Sequence, residues 1–174
     1  MRLETERLML RDLRPEDYPA LRGMMDAETM WAYGHEFTDA EVAAWLARQI
    51  ERRRIWGFSL CAVLLKSTGE LIGQCGLTVQ DCLDMRVPEI GYVFSRRHWG
   101  RGYAAEAAAA VRDYAFGSLG LGEVYALVRD INHPSRRVAE RLGMRPAAIF
   151  MKRYRGMNMP HIAYCVKNID STAD

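Results

Sequence analysis

Leu8 and Leu10 alternate with Arg7, Met9 and Arg11, and this two-residue period predicts a first strand over residues 5–11. Pro15, Glu16 and Asp17 then suit a helix start: proline is tolerated in a first turn, and acids favour the positive end of the dipole. Thr38-Asp39-Ala40-Glu41 has the spacing of a capping box. It predicts a helix running to about Arg54 with Val42, Trp45, Leu46 and Ile50 on its apolar face. Residues 58–66 and 71–80 read as strands around the turn Ser67-Thr68-Gly69-Glu70, a hairpin. A strand over 87–94 comes next, then an alanine-rich helix over 102–116 stopped by Gly117, Gly120 and Gly122. Glu123–Arg129 reads as a strand, 134–142 as a short helix ended by Gly143, and 147–153 and 162–167 as two closing strands. A helix between two strands requires a parallel pair, whereas the flanking hairpins require antiparallel neighbours. The expected fold class is α/β, a mixed sheet of six to seven strands with helices on both faces.

Composition narrows the class. The chain has 174 residues with 49% hydrophobic and 26% charged side chains, the profile of a folded domain rather than a disordered or low-complexity chain. No linker-like shift or repeat divides it, so residues 1–174 are expected to form one domain. No apolar run approaches the roughly 20 residues that cross a bilayer, and the opening MRLETERLML lacks the form of a signal peptide. A cytoplasmic protein without membrane contact is expected. Lys+Arg 24 against Asp+Glu 22 leaves +2 and no basic tail, which argues against direct nucleic-acid binding. Cys61, Cys75, Cys82 and Cys165 form no CxxC pair and read as buried free thiols; the four histidines show no metal-ligand spacing. No metal is expected.

The segment Arg97-His98-Trp99-Gly100-Arg101-Gly102 lies between a predicted strand and a helix start. Its glycines permit a tight turn and close approach of a ligand to main-chain N–H groups. A helix N-terminus has about four unpaired N–H donors at its positive end, which makes it an anion site. With Arg97 and Arg101 beside it, the segment reads as a diphosphate cradle. Gly100-Arg101-Gly102-Tyr103-Ala104-Ala105 also fits the dinucleotide fingerprint GxGxxG/A, which leaves an NAD(P)-binding oxidoreductase as an alternative. Against that alternative, residues 95–99 separate the first glycine from its strand, and Glu123 begins the next strand rather than ending it.

Arg97-x-x-Gly100-x-Gly102 resembles the acyl-CoA pyrophosphate loop, Q/R-x-x-G-x-G/A, of the GCN5-related N-acetyltransferases (GNATs). The blocks Leu3 to Arg11, Glu89-Ile90-Gly91-Tyr92, Gly100 to Ala107, Asn132-x-x-Ser135 and Glu140-Arg141-Leu142-Gly143-Met144 are similar to the branch of RimJ/RimL-type ribosomal-protein N-terminal acetyltransferases. They span roughly residues 3–144 in the family's order.

The resemblance implies the GNAT acyl-CoA N-acyltransferase fold, acetyl-CoA as acyl donor, and an amine acceptor, either a small molecule or a protein N-terminus. It places the thioester carbonyl by main-chain N–H groups near Tyr92 and Val93, where a tetrahedral oxygen needs preorganised donors. It places the diphosphate along His98, Gly100, Arg101, Gly102, Tyr103 and Ala104, with Arg97 adding charge. It implies Glu89 as general base, acting directly or through water, with Asp26, Glu28 and Glu36 as rivals. Asn132 is implied to bond the pantetheine arm, and Ser135 to lie near the sulfur and donate to the departing thiolate. Tyr154 and Tyr164 are alternative acids. The acceptor pocket is expected between residues 24–37 and a loop at 154–161. A monomer or homodimer is expected, and a non-catalytic acyl-CoA-binding domain is the second alternative.

Overall fold

The computed structural model describes residues 2–168. In chain order the elements are β1 (Arg2–Glu4), β2 (Leu8–Asp12), α1 (Tyr18–Met24), α2 (Asp39–Trp56), β3 (Leu60–Leu65), β4 (Leu71–Cys82), β5 (Met85–Phe94), α3 (Tyr103–Gly117), β6 (Glu123–Arg129), α4 (His133–Arg141), β7 (Arg145–Tyr154) and β8 (Met157–Lys167). The eight strands form one sheet in the order β1-β2-β3-β4-β5-β6-β8-β7. Every neighbouring pair is antiparallel except β5 and β6.

The capping box at Thr38 forms as the spacing predicts. Its hydroxyl accepts from the Glu41 N–H, and Glu41 Oε2 accepts from the Thr38 N–H at 2.9 Å. Along β3 the side chains alternate between two cores, which is the period-2 consequence of the pleat. Cys61 and Val63 join Leu8, Leu10 and the α3 residues Ala107, Ala108 and Val111 on one face. Ala62 and Leu64 join Leu21, Met25 and the α2 residues Val42 and Leu46 on the other. Small alanines let α3 lie close to the sheet, whereas methionines fill the irregular space beneath α1 and α2. Cys61, Cys75 and Cys82 are buried free thiols and Cys165 is half-buried; burial pushes Cys61 up to about 12.

Three expectations need correction. The sheet has eight strands rather than six or seven, because residues 5–11 are not one strand. The Thr5 hydroxyl accepts the Leu8 N–H at 3.0 Å, and the Thr5 N–H donates to the Leu8 carbonyl at 3.0 Å. This side-chain turn competes with extended structure, keeps residues 5–7 out of β2 and joins it to β1, residues 2–4, as a hairpin. The stretch 154–161 is not a loop either: β7 and β8 pair up to Tyr154 opposite Met157, leaving Arg155 and Gly156 as a tight turn, both at positive φ. On α2, Ile50 is exposed rather than part of the apolar face.

The parallel pair opens a gap in the sheet. β5 and β6 are in register at Glu89 opposite Tyr125. No ladder pair joins residues 90–94 to 126–129, so the strands part toward their C-terminal ends.

Candidate functional site

Two cavities open where β5 and β6 part. The first, of about 430 Å³, is lined by Tyr92, Val93 and Phe94 of β5, the loop and helix start at His98, Gly100 and Tyr103, and Asn132 and Ser135 at the start of α4. The second, of about 390 Å³, lies on the other side, between α2, the floor at Glu89 and the strands β6, β7 and β8. Tyr92, Val93, Asn132 and Ser135 line both. Both volumes fall within the range typical of small-molecule sites.

The loop side is built for an anion. Gly100 and Gly102 hold positive φ of 74° and 81°, a left-handed conformation that favours glycine. Through this turn, the N–H groups of residues 100–105 donate to no acceptor among the described residues. Glu106, bonded to the Gly102 carbonyl, begins the helical ladder. Six consecutive donors at the positive end of a 15-residue helix form a cradle for phosphate oxygens.

Nine predicted donor-side residues, Tyr92, Val93, His98, Gly100, Gly102, Tyr103, Ala104, Asn132 and Ser135, line the first cavity. Arg97 and Arg101 do not. Arg97 pairs with Glu70 at 3.0 Å, and Arg101 is exposed. His98 is buried beside Glu70 at 3.7 Å, and burial holds its imidazole below its ordinary pKa. Sequence reasoning missed Arg137 and Arg141, which line the same cavity one turn apart on α4. It also missed Arg7. That guanidinium bonds Glu106 Oε2 and the Arg101 carbonyl and lies over the Tyr103 ring, 4.6 Å from its centroid. The spacing of Arg137 and Arg141 at i and i+4 was a readable signal; the pairing of Arg7 with Glu106 across 99 residues was not.

Asn132 caps α4, its Oδ1 accepting the Ser135 N–H at 3.2 Å, and the Ser135 carbonyl accepts the Tyr92 hydroxyl at 2.9 Å. These bonds tie α4 to β5 through the backbone of residue 135, and no partner of the Ser135 hydroxyl occurs among the described residues.

Glu89 lies half-buried in the floor of the second cavity, and Thr78 Oγ1 donates to its Oε2 at 2.9 Å. Burial pushes the carboxyl above its ordinary pKa; Lys152, the Thr78 hydroxyl, the Leu127 N–H and Arg52 offset that only in part. A base shifted toward neutrality is better matched to proton transfer at physiological pH. The rivals lie elsewhere: Asp26 caps the turn at Thr29, Glu28 pairs with Arg96, and Glu36 with Arg22. Tyr154 lines the second cavity, whereas Tyr164 is fully buried and accepts a bond from Arg136. Tyr33, Met159 and His161 also line it, as expected of the acceptor side; Trp31 lines the first cavity and Phe37 is core. The dinucleotide alternative would need further parallel strand–helix repeats, and β5–β6 is the one parallel pair among the described residues.

The profile of the Acetyltransferase (GNAT) domain matches residues 7–145. The uncharacterized protein YkkB of Bacillus subtilis (strain 168) is 37% identical over 165 residues, covering 94% of each chain. The uncharacterized N-acetyltransferase p20 of Bacillus licheniformis is 35% identical over 143 residues, covering 80% of each. Among solved structures, the acetyltransferase from Agrobacterium tumefaciens str. C58 superposes with a TM-score of 0.79 at 32% identity, covering 97% of this chain and 95% of that one.

Proposed function

Because the chain belongs to the acetyltransferase (GNAT) domain family, the acetyl-CoA-dependent N-acetyltransferases, we propose that it moves an acetyl group from acetyl-CoA to a primary amine by direct attack in a ternary complex. The observation that carries this reading is the junction of the two cavities. An acyl donor on the loop side and an amine on the Glu89 side would meet at Tyr92, Val93, Asn132 and Ser135, which both linings share.

Each residue has a task in that geometry. The N–H groups of residues 100–105 and the arginines of α4 would hold the diphosphate, which takes no part in the chemistry but positions the thioester. An ammonium acceptor first gives a proton to Glu89, directly or through water, and from there it passes to solvent. The neutral nitrogen attacks the carbonyl; the C–N bond forms and the C–S bond breaks. The second nitrogen proton goes to the departing thiolate, with the Ser135 hydroxyl as hydrogen-bond donor to the sulfur. The acceptor is a small amine or a protein N-terminus.

Thermal unfolding with acetyl-CoA, NAD and NADP, followed by thiol release with an amine panel, tests the reading. Acetyl-CoA at about 100 times its Kd should stabilise by about 2.7 kcal/mol. At ~2–4 °C per kcal/mol for this size, Tm should rise by roughly 5–10 °C. A rise with NAD instead would support the oxidoreductase alternative, and binding without thiol release the non-catalytic one.

A further inference from the structure

The acceptor-side cavity gathers positive charge. Arg48 and Arg52 from α2, Arg129 from β6 and Lys152 from β7 line it, against a single carboxylate, Glu89. On α2, Trp45, Arg48, Arg52 and Trp56 stand at i, i+3, i+7 and i+11, one stripe of the helix. The Arg48 guanidinium lies 5.7 Å from the Trp45 ring centroid and that of Arg52 5.6 Å from Trp56, so each cation lies within cation–π reach of a tryptophan.

Partners separate this stripe from the rest of the helix. Arg53 and Arg54, turned away from the cavity, pair with Asp12 and Glu51. Arg48, Arg52 and Lys152 form no close ion pair with a carboxylate among the described residues, although Glu89 interacts at longer range with Arg52 and Lys152. Arg129 donates to the Ala32 carbonyl, while its Nε is buried without a partner among those residues. Four like charges around so small a volume repel one another, and burial together with the neighbouring Arg48 holds Arg52 below its ordinary pKa. One carboxylate, held above its ordinary pKa by burial, offsets only part of the charge of four cations. An anion with oxygens in a plane or tripod would match this set, since that is the geometry a guanidinium fork recognises.

We propose that the amine acceptor itself carries an anionic group, a carboxylate or a phosphate, held by Arg48, Arg52 and Lys152 while its amine faces Glu89. The apolar body between the two would lie against Tyr33, Trp45 and Tyr154. The inference rests on the acetyl-transfer reading and narrows it to small amines of the amino-acid or phosphoamine kind. Polyamines and aminoglycosides are disfavoured by the same charges.

The test pairs each anionic amine with a twin lacking the charge: L-phenylalanine with L-phenylalaninamide, and O-phosphoethanolamine with ethanolamine. Spermidine and a short neutral peptide with a free N-terminus and an amidated C-terminus complete the panel. Initial thiol release is corrected for the fraction of unprotonated amine, and acetyl-CoA binding is measured by calorimetry. At least one anionic member should exceed its twin in kcat/KM by about tenfold, the worth of one charge-assisted contact. Arg48→Gln should raise its KM by about tenfold, with little change for the twin or in acetyl-CoA affinity, whereas Arg52→Gln should raise that KM too and, by removing a charge that lowers the Glu89 pKa, shift the pH profile of both twins alike. Preference for phenylalanine identifies a carboxylate, and preference for phosphoethanolamine a phosphate. The inference is overturned if twins, spermidine or the peptide are used as well or better, if no anionic member is turned over, or if Arg48→Gln impairs both twins equally. Failure of the wild-type protein to bind acetyl-CoA would instead overturn the acetyl-transfer reading on which it rests.

Discussion

As the proposed base, Glu89 would tie stability and catalysis to one titration. Its carboxyl is held above its ordinary pKa by burial, among Lys152 of β7, Arg52 of α2 and Thr78 of β4. The folded state therefore binds that proton more tightly than the unfolded chain, and stability falls as pH rises through the raised value. Glu89→Gln should thus melt higher than wild type at neutral pH, with the gap closing below about pH 4, where the unfolded carboxyl is also protonated. Melting curves across pH check the sign. In turnover the same variant should lose ~10²–10⁴-fold in the window where Glu89 is ionised and the amine is not yet neutral. The loss should shrink on both sides, and less than about tenfold at every pH would remove Glu89 as base. Ser135→Ala should behave differently. The contacts of residue 135 with Asn132 and Tyr92 are made by its backbone, so the substitution deletes only the hydroxyl. Pre-steady-state kinetics should show slower acetyl transfer with acetyl-CoA affinity near normal.

At the scale of elements, the N-terminal hairpin clamps the loop that would cradle the diphosphate. Glu106 of α3 accepts from the Thr5 hydroxyl at 2.6 Å and from the Arg7 backbone and Nε at 2.9 and 2.7 Å. Burial pushes that carboxyl up, but the bonds from Thr5 and Arg7 outweigh it and hold the pKa below the ordinary value. The clamp's contribution is therefore complete above the unfolded pKa and lost as pH falls through the folded one. Glu106→Gln should melt a few degrees lower near neutral pH, converge with wild type in acid, and bind acetyl-CoA several-fold more weakly; unchanged affinity would make the clamp purely structural. A single partly exposed ion pair supplies only modest energy, so the bidentate geometry must carry the effect. The clamp was invisible in the sequence because its partners lie about a hundred residues apart. Local signals fared better. The Thr38 box and Gly143 mark helix ends by chemistry confined to one turn, and both act as read. Thr5 misled because Leu8 and Leu10 set a strand period that a side-chain turn interrupts just before it.

For the whole molecule, the direction of strand pairing was legible where a helix or a hairpin joins two strands, as in the parallel β5–β6 pair. The left-handed turn at Gly100 and Gly102 ahead of α3 was legible too, since its glycines and the adjoining helix are contiguous in the chain. The acceptor cavity was not. Its walls come from α2, β4, β6, β7 and β8, and no single stretch displays the charge that Arg48, Arg129 and Lys152 bring together. The acetyl transfer proposed for this chain requires acetyl-CoA to lie along residues 100–105 with its thioester where β5 and β6 part. Amide proton–nitrogen NMR spectra of the intact chain, recorded through a titration with acetyl-CoA, report directly on those N–H groups. The largest shifts should fall on residues 100–105 and on Tyr92 and Val93, with NAD producing none there. Saturation by acetyl-CoA with these amides unmoved, or with the shifts centred elsewhere, would contradict it.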